Sequence, residues 1–294
     1  MTHEQIDPRI YDLYDEYCHG KMERREFLAR AGAITIAGGL SGLAMAKALL
    51  PDYARAQTIS FTDARIKARY VTYPSAGGNA ETMRGYMVQP AGEGPFPTVL
   101  IVHENRGLNP YIEDVARRAA VEGFLALAPD ALTPLGGYPG NDDDGKVLQR
   151  QLDRQKIHVD MLNGARFLKA HELSTGKLGV TGFCFGGGVS NYLAVEMGDD
   201  LQAAVPFYGA APKSEDVAKI TASVLVHYAE DDPRINAMRA DYEAALKAAG
   251  TRFEMHTYPG TRHGFHNNST PRYNEEAAKL AWQRTMDAFR KQLS

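Results

Sequence analysis

Cys184 stands in Gly182-Phe183-Cys184-Phe185-Gly186, a reactive side chain between two glycines. The apolar, β-prone run Leu178-Gly179-Val180-Thr181 precedes it and the helix-compatible residues 189–194 follow. Strand, sharp turn, helix is the layout of a nucleophile elbow, here with cysteine in the serine position. The turn strains the nucleophile's backbone, and a Cβ at Gly182 or Gly186 would crowd it. The sulfur then stands at the amino end of a helix, where N–H groups and the helix dipole favour a thiolate. Gly186-Gly187-Gly188 does not fit the dinucleotide fingerprint, and no Gly-Lys-Ser/Thr follows to make a phosphate loop. A lone cysteine is more often a small buried hydrophobe, so its partners decide the matter.

A thiol attacks as the thiolate, so a base must take or hold its proton. His263 is the best base, since an imidazole titrates near neutrality. A carboxylate on its other ring nitrogen would fix the tautomer and stabilise the imidazolium. Glu230, Asp231 and Asp232 compete for that place. His103, His227, His256 and His266 are rivals to His263. His227 and His256 fall inside apolar, strand-like runs and read as structural; His266 could line a pocket.

These residues need a frame. Residues 66–73 and 82–89 alternate like antiparallel strands around the turn Ser75-Ala76-Gly77-Gly78-Asn79. Residues 98–102 are continuously apolar, as a buried parallel strand requires. A helix with Pro110 at its start is expected over 110–122, a strand over 124–128, a loop over 129–145, and a long, breakable helix over 146–171. Strands 203–208, 223–228 and 253–258 and helices 236–249 and 274–293 complete an α/β chain with a parallel sheet covered on both faces. Chemistry in such a sheet collects at the carboxyl ends of strands. His103-Glu104 follows one strand, Glu230-Asp231-Asp232 another, and Pro259-Gly260-Thr261-Arg262-His263 a third. The order nucleophile, acid, histidine is that of α/β-hydrolases.

With 294 residues, 44% hydrophobic and 23% charged, the chain suits one large or two small domains. A net charge of -3 gives no electrostatic case for nucleic acid or an anionic membrane. Two cysteines, Cys18 and Cys184, argue against a disulfide framework or a cysteine zinc site. His103-Glu104 is no zinc motif without further ligands, and no cofactor is implied.

Residues 1–22 are polar and acidic, with Tyr11, Tyr14 and Tyr17 at helical spacing. Arg24-Arg25-Glu26-Phe27-Leu28, a weakly apolar run over 31–50 and Ala54-Arg55-Ala56 follow; together they resemble a twin-arginine export signal. The leader before the arginines is long for that class. The expectation is a signal segment over 1–56, export to the periplasm through the matching machinery, and cleavage before Gln57, leaving a hydrolase domain over 57–294.

Gly182-Phe183-Cys184-Phe185-Gly186-Gly187, His103-Glu104 with Gly107-Leu108, Asp232-Pro233 and His263-Gly264-Phe265 together resemble the dienelactone hydrolase family, from about Ile66 to the C-terminus. The resemblance implies an α/β-hydrolase fold, a Cys184-His263-Asp232 triad, no cofactor, and water-dependent cleavage of small lactones or carboxylic esters through a thioester. Asp232 is preferred because Asp-Pro-x-aliphatic is the family's pattern. Glu104 would correspond to the glutamate that controls the thiol's protonation, and the N–H groups of Asn105 and Phe185 to the oxyanion hole. Where the family has an arginine for a substrate carboxylate, this chain has Asn267. Arg106, His266 and Asn267 are therefore the substrate-binding candidates, with Arg150, Arg154 and Arg262 unassigned, and neutral substrates are expected to do at least as well as acidic ones. A broad carboxylesterase and a non-catalytic periplasmic binding protein on a hydrolase scaffold are the alternatives. Nothing in the sequence specifies an oligomer.

Overall fold

The structure, a computed structural model, describes residues 6–18, 22–34 and 41–294. Eight strands form one sheet: β1 Ile66–Pro74, β2 Thr82–Pro90, β3 Phe96–Val102, β4 Leu125–Pro129, β5 Ser174–Phe183, β6 Ala203–Phe207, β7 Ser223–Asp231 and β8 Phe253–Arg262, in the order β1-β2-β4-β3-β5-β6-β7-β8. β2 runs antiparallel to both of its neighbours, and β3 to β8 are parallel. The continuous apolar run of β3 has its reason here. Leu100 and Val102 pack into one core, Val99 and Ile101 into the other, so both faces are buried.

Eleven helices are described: α1 Pro8–Cys18, α2 Arg24–Gly32, α3 Gly42–Ala48, α4 Tyr53–Ala56, α5 Pro110–Val121, α6 Asp142–Gln151, α7 Arg154–Lys169, α8 Phe185–Met197, α9 Pro233–Asn236, α10 Arg239–Ala249 and α11 Glu275–Leu293. α7, α8 and α10 cover the first face through Ile157, Met161, Leu193 and Leu246. α5 and α11 cover the second through Val115, Ala119, Ala281 and Phe289.

Two expectations are corrected, and the helix expected to be breakable is indeed broken. The loop over 129–145 ends early, because Asp142, Asp143 and Asp144 form the first turn of α6, with Asn141 Oδ1 accepting from Asp144 N–H. Carboxylates at a helix N-terminus are favourable, although in sequence they read as loop composition. The long helix after it is broken at Leu152, and Asp153 caps α7 by accepting from the N–H groups of Gln155 and Lys156. β8 continues through Pro259 to Arg262, which an edge strand tolerates because it has a side without a ladder to supply.

The described residues before Gln57 fold onto the hydrolase unit. Ile10, Tyr14, Phe27, Met45 and Leu49 share a third apolar core. The middle of the apolar run taken for a signal segment, residues 35–40, lies outside the described residues. No helix among the described residues is long and apolar enough to cross a membrane.

Candidate active site

The sheet aligns the strand ends. Val102 pairs with Gly182 and Phe207 with Phe183, so His103, Cys184 and Tyr208 leave neighbouring strands at one level. Asp231 pairs with Arg262 after a register shift in β7–β8. Asp232 and His263 each sit one residue further on and meet: His263 Nδ1 lies 2.5 Å from Asp232 Oδ2. Both side chains are almost fully buried, at 6% and 5% exposure. Asp232 Oδ1 also accepts from Ile235 N–H, which fixes the carboxylate at the start of α9.

Cys184 adopts φ 56° and ψ -110°, a strained conformation for a residue with a Cβ. Its N–H donates to Phe207 O at 3.1 Å. The flanking glycines are needed for space: a Cβ at Gly182 would come within 2.3 Å of Gly186 O, and one at Gly186 within 2.2 Å of Val102 O. Cys184 is half-buried at the head of α8. Burial pushes the His263 imidazolium down in pKa, but the charge of Cys184, then that of Asp232, then hydrogen bonds to both side chains outweigh it, and the pKa rises to about 10.

Glu104 is buried beside Cys184 and His263. Burial raises its carboxyl pKa, Arg106 and Arg272 oppose that, and the Cys184 charge reinforces it. Asn267 Nδ2 donates to Glu104 Oε2 at 3.1 Å. Asn105, Cys184 and Phe185 border a cavity of about 380 Å³, whose mouth carries Arg150, Arg154 and Arg234.

The three substrate-binding candidates are corrected: Arg106, His266 and Asn267 do not line that cavity. Arg106 is buried, with Nη1 on Asp142 Oδ2 at 2.8 Å and Nη2 on Cys18 Sγ at 3.0 Å. His266 Nδ1 meets Tyr111 OH at 2.7 Å and its ring stacks on Phe183. Asn267 turns to Glu104. His266 and Asn267 are buried because the turn after β8 folds inward to deliver His263, whereas Arg106 is buried in the loop after β3. The rival histidines are accounted for structurally. His103 lies with Nδ1 on Glu104 O and Nε2 accepting from Ala131 N–H. His227 is held between Tyr258 OH and Thr285 Oγ1. His256 is half-buried, beside Glu254.

Sequence reasoning missed Tyr208, Arg272 and Lys146. Tyr208, at φ 36°, packs its ring 4.9 Å from that of His263. Its position just past β6 was the available signal. Arg272 acts electrostatically on Glu104 from the chain after His263. Gly264 makes room for it at φ 89°, where a Cβ would strike the guanidinium at 2.9 Å. Among the described residues, no three His, Cys, Asp or Glu side chains group as metal ligands would.

An eight-stranded, mostly parallel sheet in this order, with a strained residue at a strand–helix elbow, defines an α/β-hydrolase. Residues 83–293 match the family model described as the dienelactone hydrolase family. The chain belongs to that family and is a hydrolase. A Yersinia pestis protein assigned as a carboxymethylenebutenolidase is 33% identical over 233 residues, covering 74% of this chain and 86% of that protein. The Escherichia coli hydrolase fragment YghX is 57% identical over 115 residues, 39% of this chain and 97% of the fragment. The crystal structure of a Klebsiella pneumoniae protein assigned as a dienelactone hydrolase superposes with a TM-score of 0.65 at 28% identity, covering 76% of this chain and 99% of that one. Residues 1–36 match a second family model, described as YqhI-like.

Proposed function

We propose that this hydrolase cleaves small lactones or carboxylic esters through a thioester on Cys184. The observation that carries the reading is the row Asp232, His263, Cys184: a buried carboxylate 2.5 Å from one imidazole nitrogen, and the elbow cysteine near enough to act electrostatically on the same ring. The sulfur lone pair forms the bond to the acyl carbon while the carbonyl electrons move onto oxygen. The N–H groups of Asn105 and Phe185 receive that oxyanion; one such donor is worth about 3–4 kcal/mol of barrier. As the C–O bond breaks, the His263 imidazolium protonates the departing alkoxide. In a lactone that alkoxide stays tethered to the acyl chain. Water then gives a proton to His263 as its oxygen attacks the thioester carbon. The C–S bond breaks, releasing the acid and restoring the thiolate–imidazolium pair.

Arg150, Arg154 and Arg234 at the mouth support substrates that carry an acidic group. The neutral preference expected from Asn267 loses its basis, since Asn267 faces Glu104. The relatives' carboxymethylenebutenolidase and dienelactone hydrolase assignments point the same way. The test is turnover of p-nitrophenyl acetate and dihydrocoumarin, with acid-quenched peptide mass spectrometry. The wild type should carry the acyl mass on Cys184, Cys184→Ser should keep weak activity, and Cys184→Ala none. Undiminished turnover by Cys184→Ala ends the covalent mechanism.

A further inference from the structure

Helix α1 lies outside the span of the dienelactone hydrolase family model, yet it is joined to the candidate site at every turn. Its tyrosines recur three residues apart, and each receives a cation from the hydrolase unit. The Arg262 guanidinium stands 4.9 Å from the Tyr11 ring, Arg272 stands 4.8 Å from Tyr14, and the Lys146 ammonium stands 3.8 Å from Tyr17. A desolvated cation over an aromatic face is an attractive contact. Behind these rings, Phe27 stacks on Tyr17 at 5.1 Å and packs on Tyr14 at 5.7 Å, so α2 fixes the orientation of α1.

The carboxyl end of α1 makes the closest contacts. The last carbonyls of a helix have no partner within it, and that end carries partial negative charge. Here Lys146 Nζ donates to Tyr17 O at 2.9 Å and Asn105 Nδ2 to Cys18 O at 3.0 Å. Arg106 Nη2 reaches Cys18 Sγ at 3.0 Å. Asn105 and Lys146 both line the cavity at Cys184. A second cavity, of about 420 Å³, lies between Tyr11, Asp12, Asp15 and Glu16 of α1 and the Asp232–His263 pair. Four groups act electrostatically on Glu104: Arg106, Cys184, Arg272 and Asp142. Both cations among them, Arg106 and Arg272, are touched by α1.

We propose that α1 is a working part of the hydrolase site, a positioning element that holds the Asn105–Arg106 loop and Arg272 in place around Glu104 and Cys184. Tyr14, Tyr17 and Cys18 are its positioning residues; none of them touches the reacting atoms. The inference rests on the reading of Cys184 as nucleophile and of the Asn105 N–H as an oxyanion donor. It also opposes removal of residues 1–56 from the active protein.

The test uses the full chain with Tyr14→Leu and Cys18→Ala combined, against the conservative pair Tyr14→Phe and Cys18→Ser. Phenylalanine keeps the aromatic face for Arg272, and serine keeps an acceptor for Arg106. Two readouts are needed: kcat and KM for p-nitrophenyl acetate, and the pH profile of Cys184 alkylation by iodoacetamide, followed on the Cys184 peptide. The Leu/Ala pair should lose about tenfold in kcat with KM within about twofold, as a displaced oxyanion donor would. Loosened cations make Glu104 and Cys184 harder to ionise together, so the alkylation midpoint should rise by more than about half a pH unit. The Phe/Ser pair should restore both. If the Leu/Ala pair does not fold, Cys18→Ala alone, a small change in one buried side chain, should show the same shifts at reduced size. A wild-type midpoint and kcat in whichever of the two variants folds overturn the proposal. If the wild type turns over neither ester nor lactone, the proposed function fails, and the alkylation profile still decides the role of α1.

Discussion

Asp232→Asn isolates the charge that holds His263 while leaving the side chain's shape. In the native site the carboxylate lies 2.5 Å from Nδ1 with both partners about 95% buried. Removing one charge from a buried pair costs about 3–5 kcal/mol. At about 1.4 kcal/mol per pKa unit that sets a ceiling of roughly 2–3.5 units on the fall of the His263 pKa from about 10, with the larger Cys184 contribution left in place. The sign follows from the proton: the imidazolium exists below the pKa and is lost above it, so the mutation removes it from the alkaline side. The assay is the rate of Cys184 alkylation by iodoacetamide against pH, read by peptide mass spectrometry so that Cys18 is counted separately. The wild-type rate should change its slope near pH 10, and the Asp232→Asn rate at a clearly lower pH. Ester turnover at neutral pH should fall by roughly 10²–10⁴-fold, the range for losing a general acid–base. An alkaline break that stays where the wild type has it would refute the claim that Asp232 holds the proton on His263.

Two further outcomes follow from the same geometry. Gly186→Ala should cost about 1–3 kcal/mol in urea unfolding and most of the activity, because its Cβ would stand 2.2 Å from the backbone oxygen of Val102; a stable, fully active alanine variant would mean that the elbow is laxer than described. Arg154→Glu combined with Arg234→Glu should lower kcat/KM for a free-acid lactone relative to its methyl ester, read as a ratio for the matched pair, and an unchanged ratio removes the mouth arginines from substrate selection.

The sheet was legible because it depends on local pattern; the Asp232–His263 meeting was legible because an acidic turn and a histidine both stand at strand ends, the choice of Asp232 among three carboxylates coming from the family resemblance. The apolar run of β3, Pro110 at the start of α5 and the acidic turn after β7 each name an element or a strand end, and the fold class then brings strand ends together. What was not legible depended on which way a turn folds. Asn267 follows His263 closely enough to be read as a pocket residue, yet the turn carries it under the site to Glu104. Nothing in the local sequence says that Arg272 acts on the same carboxylate. Asp142 to Asp144 suited a loop in composition, and only the cap at Asn141 turns them into a helix start. The tyrosines at 11, 14 and 17 showed a helical stripe, but its partners come from Lys146, Arg262 and Arg272, more than a hundred residues away.

Residues 1–56 therefore carry two incompatible readings, and the mass of the active enzyme separates them. An export signal acts as an extended segment and is removed. Here Arg24 is bound to Asp143 at 2.7 Å, and Met45, Ala46 and Leu49 are buried with Ile10, Tyr14 and Phe27. Cleavage before Gln57 would strip Asn105 Nδ2, Arg106 Nη2 and Lys146 Nζ of acceptors and leave Arg272 without the ring beneath it. An uncompensated buried donor costs about 1–3 kcal/mol, more when it is charged, so such a loss would be felt at the site itself. The expected result is that enzyme isolated from its native cell in active form has an N-terminus before Pro8, by intact mass and N-terminal peptide. A fully active enzyme beginning uniformly at Gln57 would return the segment to export and detach α1 from the chemistry.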